Sequence, residues 1–381
     1  MSILISDTAR NNLSSWATRA IRDGYAIGAC LSPFTSPDNS NGYKRSAKDT
    51  ADAIREAGGE FWFDPMTYAL DMPRTTDFKH YNTWGLSNRI CEITTPKDLK
   101  IHIKRIYEIQ TRLGSQLLAP TLLLTAPNST KSQQALEMSC EAINIEGKTW
   151  LTIAGDQHFW STEDELDAHI GALNQLEPSG WFLVVTRDNN SMPPKATPEE
   201  IYGLMRTTYA LSQDRPVHIS FGDLAGLPAV AAGASTISTG WDLRQRICAY
   251  QDFEERPSDQ PGGGWYQRPT LYGLMGGLSK REYMTLTSEK PTLAKQLAPG
   301  EIGPKPEQAF KHHAQVLSEL VSELNLLSGE SRVKALCNHY EQALPTWKTV
   351  ASITGASLSA EDWIHPFQQG LRLFTTAEGW D

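Results

Sequence analysis

Pro216-Val-His-Ile-Ser-Phe-Gly-Asp-Leu-Ala-Gly-Leu-Pro-Ala-Val-Ala-Ala-Gly-Ala-Ser-Thr-Ile-Ser-Thr-Gly-Trp-Asp-Leu-Arg-Gln-Arg246 is the stretch whose reading decides the fold. Val217 to Phe221 reads as a buried strand, Gly222-Asp223 as the turn after it, and Leu224 to Ala232 as a short helix of small apolar residues. Gly233 stops that helix, because glycine accepts a left-handed cap without a Cβ penalty. Ser235 to Ser238 forms the next strand, and Thr239-Gly240-Trp241-Asp242 emerges from its end. Strands joined through a helix by short loops run parallel with a right-handed crossover. Gly222, Asp223, Gly240 and Asp242 then share the rim at the carboxyl ends of the strands, where parallel α/β folds carry their chemistry.

The same alternation extends toward the N-terminus. Tyr25 to Leu31 reads as a strand running into a proline-stiffened rim loop with Phe34, and Ser46 to Ala57 as a helix. Glu60 to Asp64 is a strand ending in a carboxylate. A long loop follows, from Pro65 to Thr95, with Tyr68, Lys79 to Trp84, and Arg89. Lys97 to Leu113 is helical, Leu117 to Thr125 a strand, Thr130 to Ile143 helical, and Thr149 to Ala154 a strand that leaves Asp156, His158 and Trp160 on the rim. Thr162 to Leu176 is a helix with a capping pattern of Ser161/Thr162 before Glu165. Trp181 to Thr186 is a strand ending at Arg187, and Glu199 to Leu211 is helical. Asp7 is placed to cap a helix over residues 7–22. Seven strands are clear, and the eighth is either Ile3 to Ser6 or a piece near Tyr283 to Leu286.

The expected architecture is α/β, a (β/α)8 TIM-type barrel over residues 1–250. Residues 251–381 are expected to form a Pro/Gly loop (Glu254 to Gly264) and a helical extension packed on the barrel. Its helices read as Phe310 to Leu326, Val333 to Ala343, Thr346 to Ser352 and Ala360 to Leu373. An open doubly wound sheet is the alternative, weakened because no G-x-G-x-x-G follows a strand.

With 381 residues, 40% of them hydrophobic, the chain is long enough to bury a large core. No apolar run reaches the length of a membrane span, so no membrane association is expected. Met1 to Ser6 lacks the features of a signal peptide. Five scattered cysteines without a CxxC pair argue against a disulfide framework and a zinc site, and a reducing cytoplasm is the expected location. The net charge of −9 argues against indiscriminate coating of nucleic acid. No cofactor or metal is expected, since His158, His218, His312, His313 and His339 form no ligand pattern.

Asp64, Asp156, Asp223 and Asp242 follow predicted strands, so they either satisfy turn amides or do chemistry. The turn reading is strongest for Asp223, which precedes a helix, and weakest for Asp64, which Pro65 follows. Paired carboxylates serve as nucleophile and acid when their environments separate their pKa values. Arg187, Arg244 and Arg246 are candidate phosphate contacts, with Gly222 and Gly240 as backbone cradles. Phe34, Tyr68, Trp84 and Trp241, together with His158, are candidates to hold a planar substrate.

Glu60-Phe-Trp-Phe-Asp-Pro-Met-Thr-Tyr68 and Gly222 to Asp242 resemble two stretches of the tRNA-guanine transglycosylase-like barrels, including their DNA-acting relatives. The resemblance implies carboxylate attack at a nucleoside C1′, with Asp64 matching the first motif and Asp242 approximately the second. It departs at Pro65-Met66, where the family has serine and glycine, and lacks the family's Cys-rich zinc site. What it implies is cleavage or exchange of an N-glycosidic bond in nucleic acid, DNA before RNA, as in defence against foreign DNA. Two alternatives stand beside it: a small-molecule lyase or isomerase on a phosphate-binding barrel, and a barrel kept as a binding scaffold.

Overall fold

The computed structural model describes residues 3–7, 14–39, 45–72, 81–86, 93, 95–189, 191, 194–253, 269–300, 302–303, 305–357 and 360–380. Eight strands follow the order β3-β2-β1-β8-β7-β6-β5-β4, and a ninth pairs with β6. They are β1 (Ile3–Ser6), β2 (Gly28–Leu31), β3 (Glu60–Phe63), β4 (Leu123–Leu124), β5 (Trp150–Asp156), β6 (Gly180–Arg187), β7 (Val217–Ser220), β8 (Thr236–Gly240) and β9 (Cys248–Ala249). Every pairing among them is parallel. Their sequences are short apolar runs, as parallel strands covered on both faces require.

Helices alternate with the strands: α1 (Ser14–Arg22), α2 (Ala47–Glu56), α3 (Pro96–Leu113), α4 (Thr130–Ile145), α5 (Gln157–Trp160), α6 (Asp164–Asn174), α7 (Pro198–Ser212), α8 (Leu227–Ala232) and α9 (Leu243–Arg246). The fold is thus TIM-like α/β, a mostly parallel sheet clad in helices. Ser46, Thr95 and Ser129 cap α2, α3 and α4 with their hydroxyls, each in a reciprocal capping box.

Between β3 and β5 the ladder thins. Gln116 N–H donates to Phe61 O at 3.2 Å and Ala119 N–H to Trp150 O at 2.9 Å. Trp62 bridges Gln116, and Leu118 bridges Trp150. The strand expected over Leu117 to Thr125 is therefore broken: only Leu123–Leu124 pairs as a ladder. Pro120 sits in the middle and has no N–H to donate.

An aromatic layer joins β3, β5, β6 and β7. The Trp62 ring lies 4.8 Å from Trp150 and 6.1 Å from Phe182, and His218 stacks on Phe182 at 5.0 Å. His218 Nδ1 bonds the Thr236 hydroxyl at 2.8 Å. Burial pushes its pKa down to about 3, so it is a neutral core histidine.

Beyond β9 lie β10 (Thr270–Leu271), β11 (Gly276–Gly277), α10 (Lys280–Glu289), α11 (Pro291–Leu297), α12 (Pro306–Asn325), α13 (Gly329–Thr354) and α14 (Ala360–Glu378). Helix α12 touches α1, β1 and α8; α13 touches α8; α14 lies along α7. A Cβ at Gly370 would come within 2.6 Å of Ile201, which explains how closely α14 approaches α7.

Several local expectations differ from the structure. Asp7 follows β1 and accepts the Trp241 indole N–H at 3.0 Å, and α1 starts only at Ser14. The Ser161/Thr162 box is absent, and Glu163 precedes α6 without a side-chain cap. Ile3–Ser6 is a strand and residues 283–286 are helical. The two helices expected on either side of Pro345 are one. Lys79, His80, Arg89 and the Glu254 to Gly264 loop lie outside the described residues. No helix among the described residues is long and apolar enough to cross a membrane.

Candidate active site at the carboxyl ends of the strands

Asp64 follows β3, Asp156 ends β5, Asp223 follows β7 and Asp242 follows β8, so all four stand at the carboxyl ends of parallel strands. Their surroundings separate them.

Asp64 is 3% exposed and has no cation beside it among the described residues. Its Oδ1 accepts the Met66 N–H at 2.9 Å and its Oδ2 the Tyr68 hydroxyl at 2.7 Å. Burial raises its carboxyl to about 6, against the two hydrogen bonds, which favour the charged form. Met66 holds a left-handed backbone, φ 50°, right beside it. Strain of that kind in a non-glycine residue persists only where the surroundings enforce it. Cys30 at the end of β2 and Cys248 in β9 both feel the Asp64 charge, and burial pushes both thiols up. Tyr81, buried later in the β3–α3 loop, feels it too.

Asp156 is a helix cap. Its Oδ1 accepts the Phe159 N–H at 2.9 Å, and the Tyr250 hydroxyl donates to its Oδ2 at 3.4 Å. Asp242 is half-buried, accepts the Arg244 N–H at 3.0 Å and pairs with the Arg244 guanidinium at 3.4 Å. Both contacts lie within its own turn. Asp223 is fully enclosed: its Oδ1 accepts the Leu224 N–H, and its Oδ2 meets the Thr239 hydroxyl and His313 Nε2. Burial opposes its charge, but His313, Arg246 and the Thr239 hydroxyl outweigh that and hold the carboxyl well below the usual range. Nothing in the sequence pairs His313 with Asp223, because it comes from α12, ninety residues away.

The expected phosphate contacts are occupied. Arg187 forms a buried ion pair with Glu200 at 2.5 Å and donates to Lys195 O. Arg246 donates to Gly240 O at 2.8 Å and lies 3.7 Å from Asp223. The amides after β8 are taken as well: Gln245 Oε1 accepts the N–H groups of Trp241 and Asp242 at 2.9 and 3.3 Å. Gly240 is glycine because a Cβ there would strike Gln245 Cβ at 2.2 Å. Gly222 is likewise enclosed, with Ile219 O 3.2 Å from a would-be Cβ.

Of the aromatic candidates, Trp84 is core: it packs on Phe63 at 4.9 Å and donates to Ser36 O. Trp241 is core too, with Phe310 at 3.6 Å and Trp16 at 4.8 Å. Phe34 is half-buried against Phe253 at 5.0 Å. His158 is exposed on α5. Tyr68 touches a carboxylate of the rim set from within the β3 loop. Among the described residues no cluster of three or more His, Cys, Asp or Glu could hold a metal ion. An open groove of about 500 Å³ between Arg112 of α3 and Glu146 lies on the helical exterior, away from these strand ends.

No protein-family model matches the sequence, and no curated protein matches it. Solved structures show limited similarity, three of them as follows. A mandelate oxidase variant with benzaldehyde has 11% identity and a TM-score of 0.35, covering 96% of this chain and 76% of its own. The spore coat polysaccharide biosynthesis protein SpsE from Bacillus subtilis has 10% identity and a TM-score of 0.38, covering 86% and 69%. Dihydrodipicolinate synthase from Oceanobacillus iheyensis has 8% identity and a TM-score of 0.24, covering 100% and 95%. None of the three is similar enough to bear on what this chain does.

Proposed function

We propose that the chain is an acid–base enzyme acting on a small, unphosphorylated molecule, with Asp64 as the proton-transfer group and Tyr68 orienting it. In this reading the eight strands close into a (β/α)8 barrel through residues 116–124, and residues 251–381 are an extension packed on it. The observation that carries the proposal is the burial of the Asp64 carboxyl, hydrogen-bonded to Tyr68 and with no cation beside it among the described residues, which raises it to about 6.

A general base works best when its pKa lies near the operating pH, which balances the fraction in the right form against proton affinity. At neutral pH Asp64 is largely ionised yet much more basic than an ordinary aspartate. Among the described residues two of its roughly four lone-pair positions are committed, which leaves others to accept a substrate proton. Access requires the covering segment with Tyr68 to move, and Thr67, bonded reciprocally to Thr121 O and N–H, marks where that segment is anchored. The chemistry this supports is proton removal beside a carbonyl, as in isomerisation or elimination. N-glycosidic cleavage, implied by the family resemblance, asks for a second free carboxylate, and Asp242 is committed to Arg244 and its own turn.

The test is deuterium wash-in. The protein is incubated in D2O with a panel of keto acids, hydroxy acids and ketoses, and exchange is followed by NMR. Wild type should exchange at least one member, and Asp64→Asn should lower the rate by about 100-fold or more. No exchange with any member, together with release of free base from DNA or RNA, would move the assignment to glycosidic chemistry.

A further inference from the structure

Asp223, His313, Thr239, Thr270 and Arg246 form a polar knot that the proposed acid–base chemistry does not use. His313 Nε2 lies 3.0 Å from both Asp223 Oδ2 and Thr239 Oγ1, and Nδ1 lies 2.8 Å from Thr270 Oγ1. The Thr239 hydroxyl donates to Asp223, so its oxygen is free to accept. One proton arrangement satisfies every group: a neutral ring whose Nε2–H donates to Asp223 and Thr239 and whose Nδ1 accepts from Thr270. Arg246, reaching from α9, balances the Asp223 charge. The residues come from the turn after β7, from β8, from α9, and from β10 and α12 of the C-terminal extension.

The backbone at this point is strained. Phe221 and Asp223 both adopt left-handed conformations, φ 53° and 45°, which non-glycine residues rarely take. Asp223 is held there from its side chain, with Oδ1 on its neighbour's N–H and Oδ2 in the knot. Phe221 N–H is caught by Ser238 Oγ at 2.8 Å. We infer that His313 is a positioning residue delivered by the extension: it fixes the strained turn after β7, so the shape of this side of the mouth depends on the docking of α12. The hydrogen-bond polarity matches that of a hydrolase relay. Asp223, His313 and Thr270 are nearly solvent-free, however, so the relay positions backbone rather than attacking substrate.

A satisfied buried network of this kind specifies one geometry and makes loss of a member costly. The experiment is site-resolved amide hydrogen exchange on wild type, His313→Ala, His313→Gln and Thr270→Val, with ring ¹⁵N shifts of His313 in wild type. Amides at 221–226 should exchange at least tenfold faster in His313→Ala while β5 and β6 amides keep their rates. Glutamine, which retains a donor, should restore most of the protection. Thr270→Val should give an intermediate local change, and it carries the test if His313→Ala does not fold. The ring should be neutral and protonated on Nε2. A uniform acceleration across the barrel, unchanged rates at 221–226, or a charged or Nδ1-protonated ring at neutral pH would each overturn the assignment.

Discussion

The Tyr68 hydroxyl donates to Asp64 Oδ2 at 2.7 Å, in a site where neither side chain is more than 3% exposed. The bond spans four residues of one loop, so β3 delivers the carboxylate and the turn after it delivers the phenol that orients it. Burial favours the neutral acid and the phenol favours the anion, and their balance leaves Asp64 near 6.

That balance has a price in stability with a defined sign. The folded carboxyl titrates at about 6 against 3.8 unfolded, so its contribution is fully present below pH 3.8 and is lost as pH rises through 6. Asp64→Asn cannot ionise. Its stability relative to wild type should therefore climb by about 2 kcal/mol between pH 4 and pH 8. Urea denaturation of both proteins across that range measures it, and a constant difference would contradict the buried titration.

Gln245 plugs the amides of Trp241 and Asp242, the one place after β8 where a phosphate cradle was expected. Gln245→Ala should lose about 1–3 kcal/mol of stability, because at least one buried N–H is left without an acceptor. Inorganic phosphate should leave the wild-type melting temperature unchanged, and a phosphate-dependent rise would restore the phosphate-binding reading.

Arg187 and Glu200 are both nearly solvent-free, and burial raises the Glu200 carboxyl despite the guanidinium beside it. Arg187→Ala strands that carboxylate and should cost about 3–5 kcal/mol at pH 7. Replacing both residues by methionine and leucine should recover most of the loss. Chemical denaturation of the single and double variants decides this. A loss confined to ligand binding, with stability intact, would return Arg187 to the substrate.

Much of the fold was legible because it is written in local pattern. The run from Val217 to Gly240 shows strand, turn, helix and strand in order, and each of its short connections allows one topology. The strand around Leu117 was legible only in part, since Pro120 looks harmless in a run of leucines until the ladder must pass through it. The site was less legible for a different reason. Asp64 stood out because Pro65 ruled out a helix to cap. Yet the partners that decide the fate of the other candidates are remote or unremarkable: Glu200 for Arg187, Gln245 for Gly240, His313 for Asp223. Nothing in spacing distinguishes a solvated arginine from one buried against a glutamate on the next helix.

Asp64 is a buried acid held near neutrality, and its carboxyl ¹³C titration measures that directly. With selectively labelled aspartate, and Asp64→Asn to assign the resonance, the midpoint should fall near 6. It should rise further in Tyr68→Phe, which loses the hydrogen bond that favours the anion. A midpoint at or below 3.8, or one indifferent to Tyr68, would contradict the account.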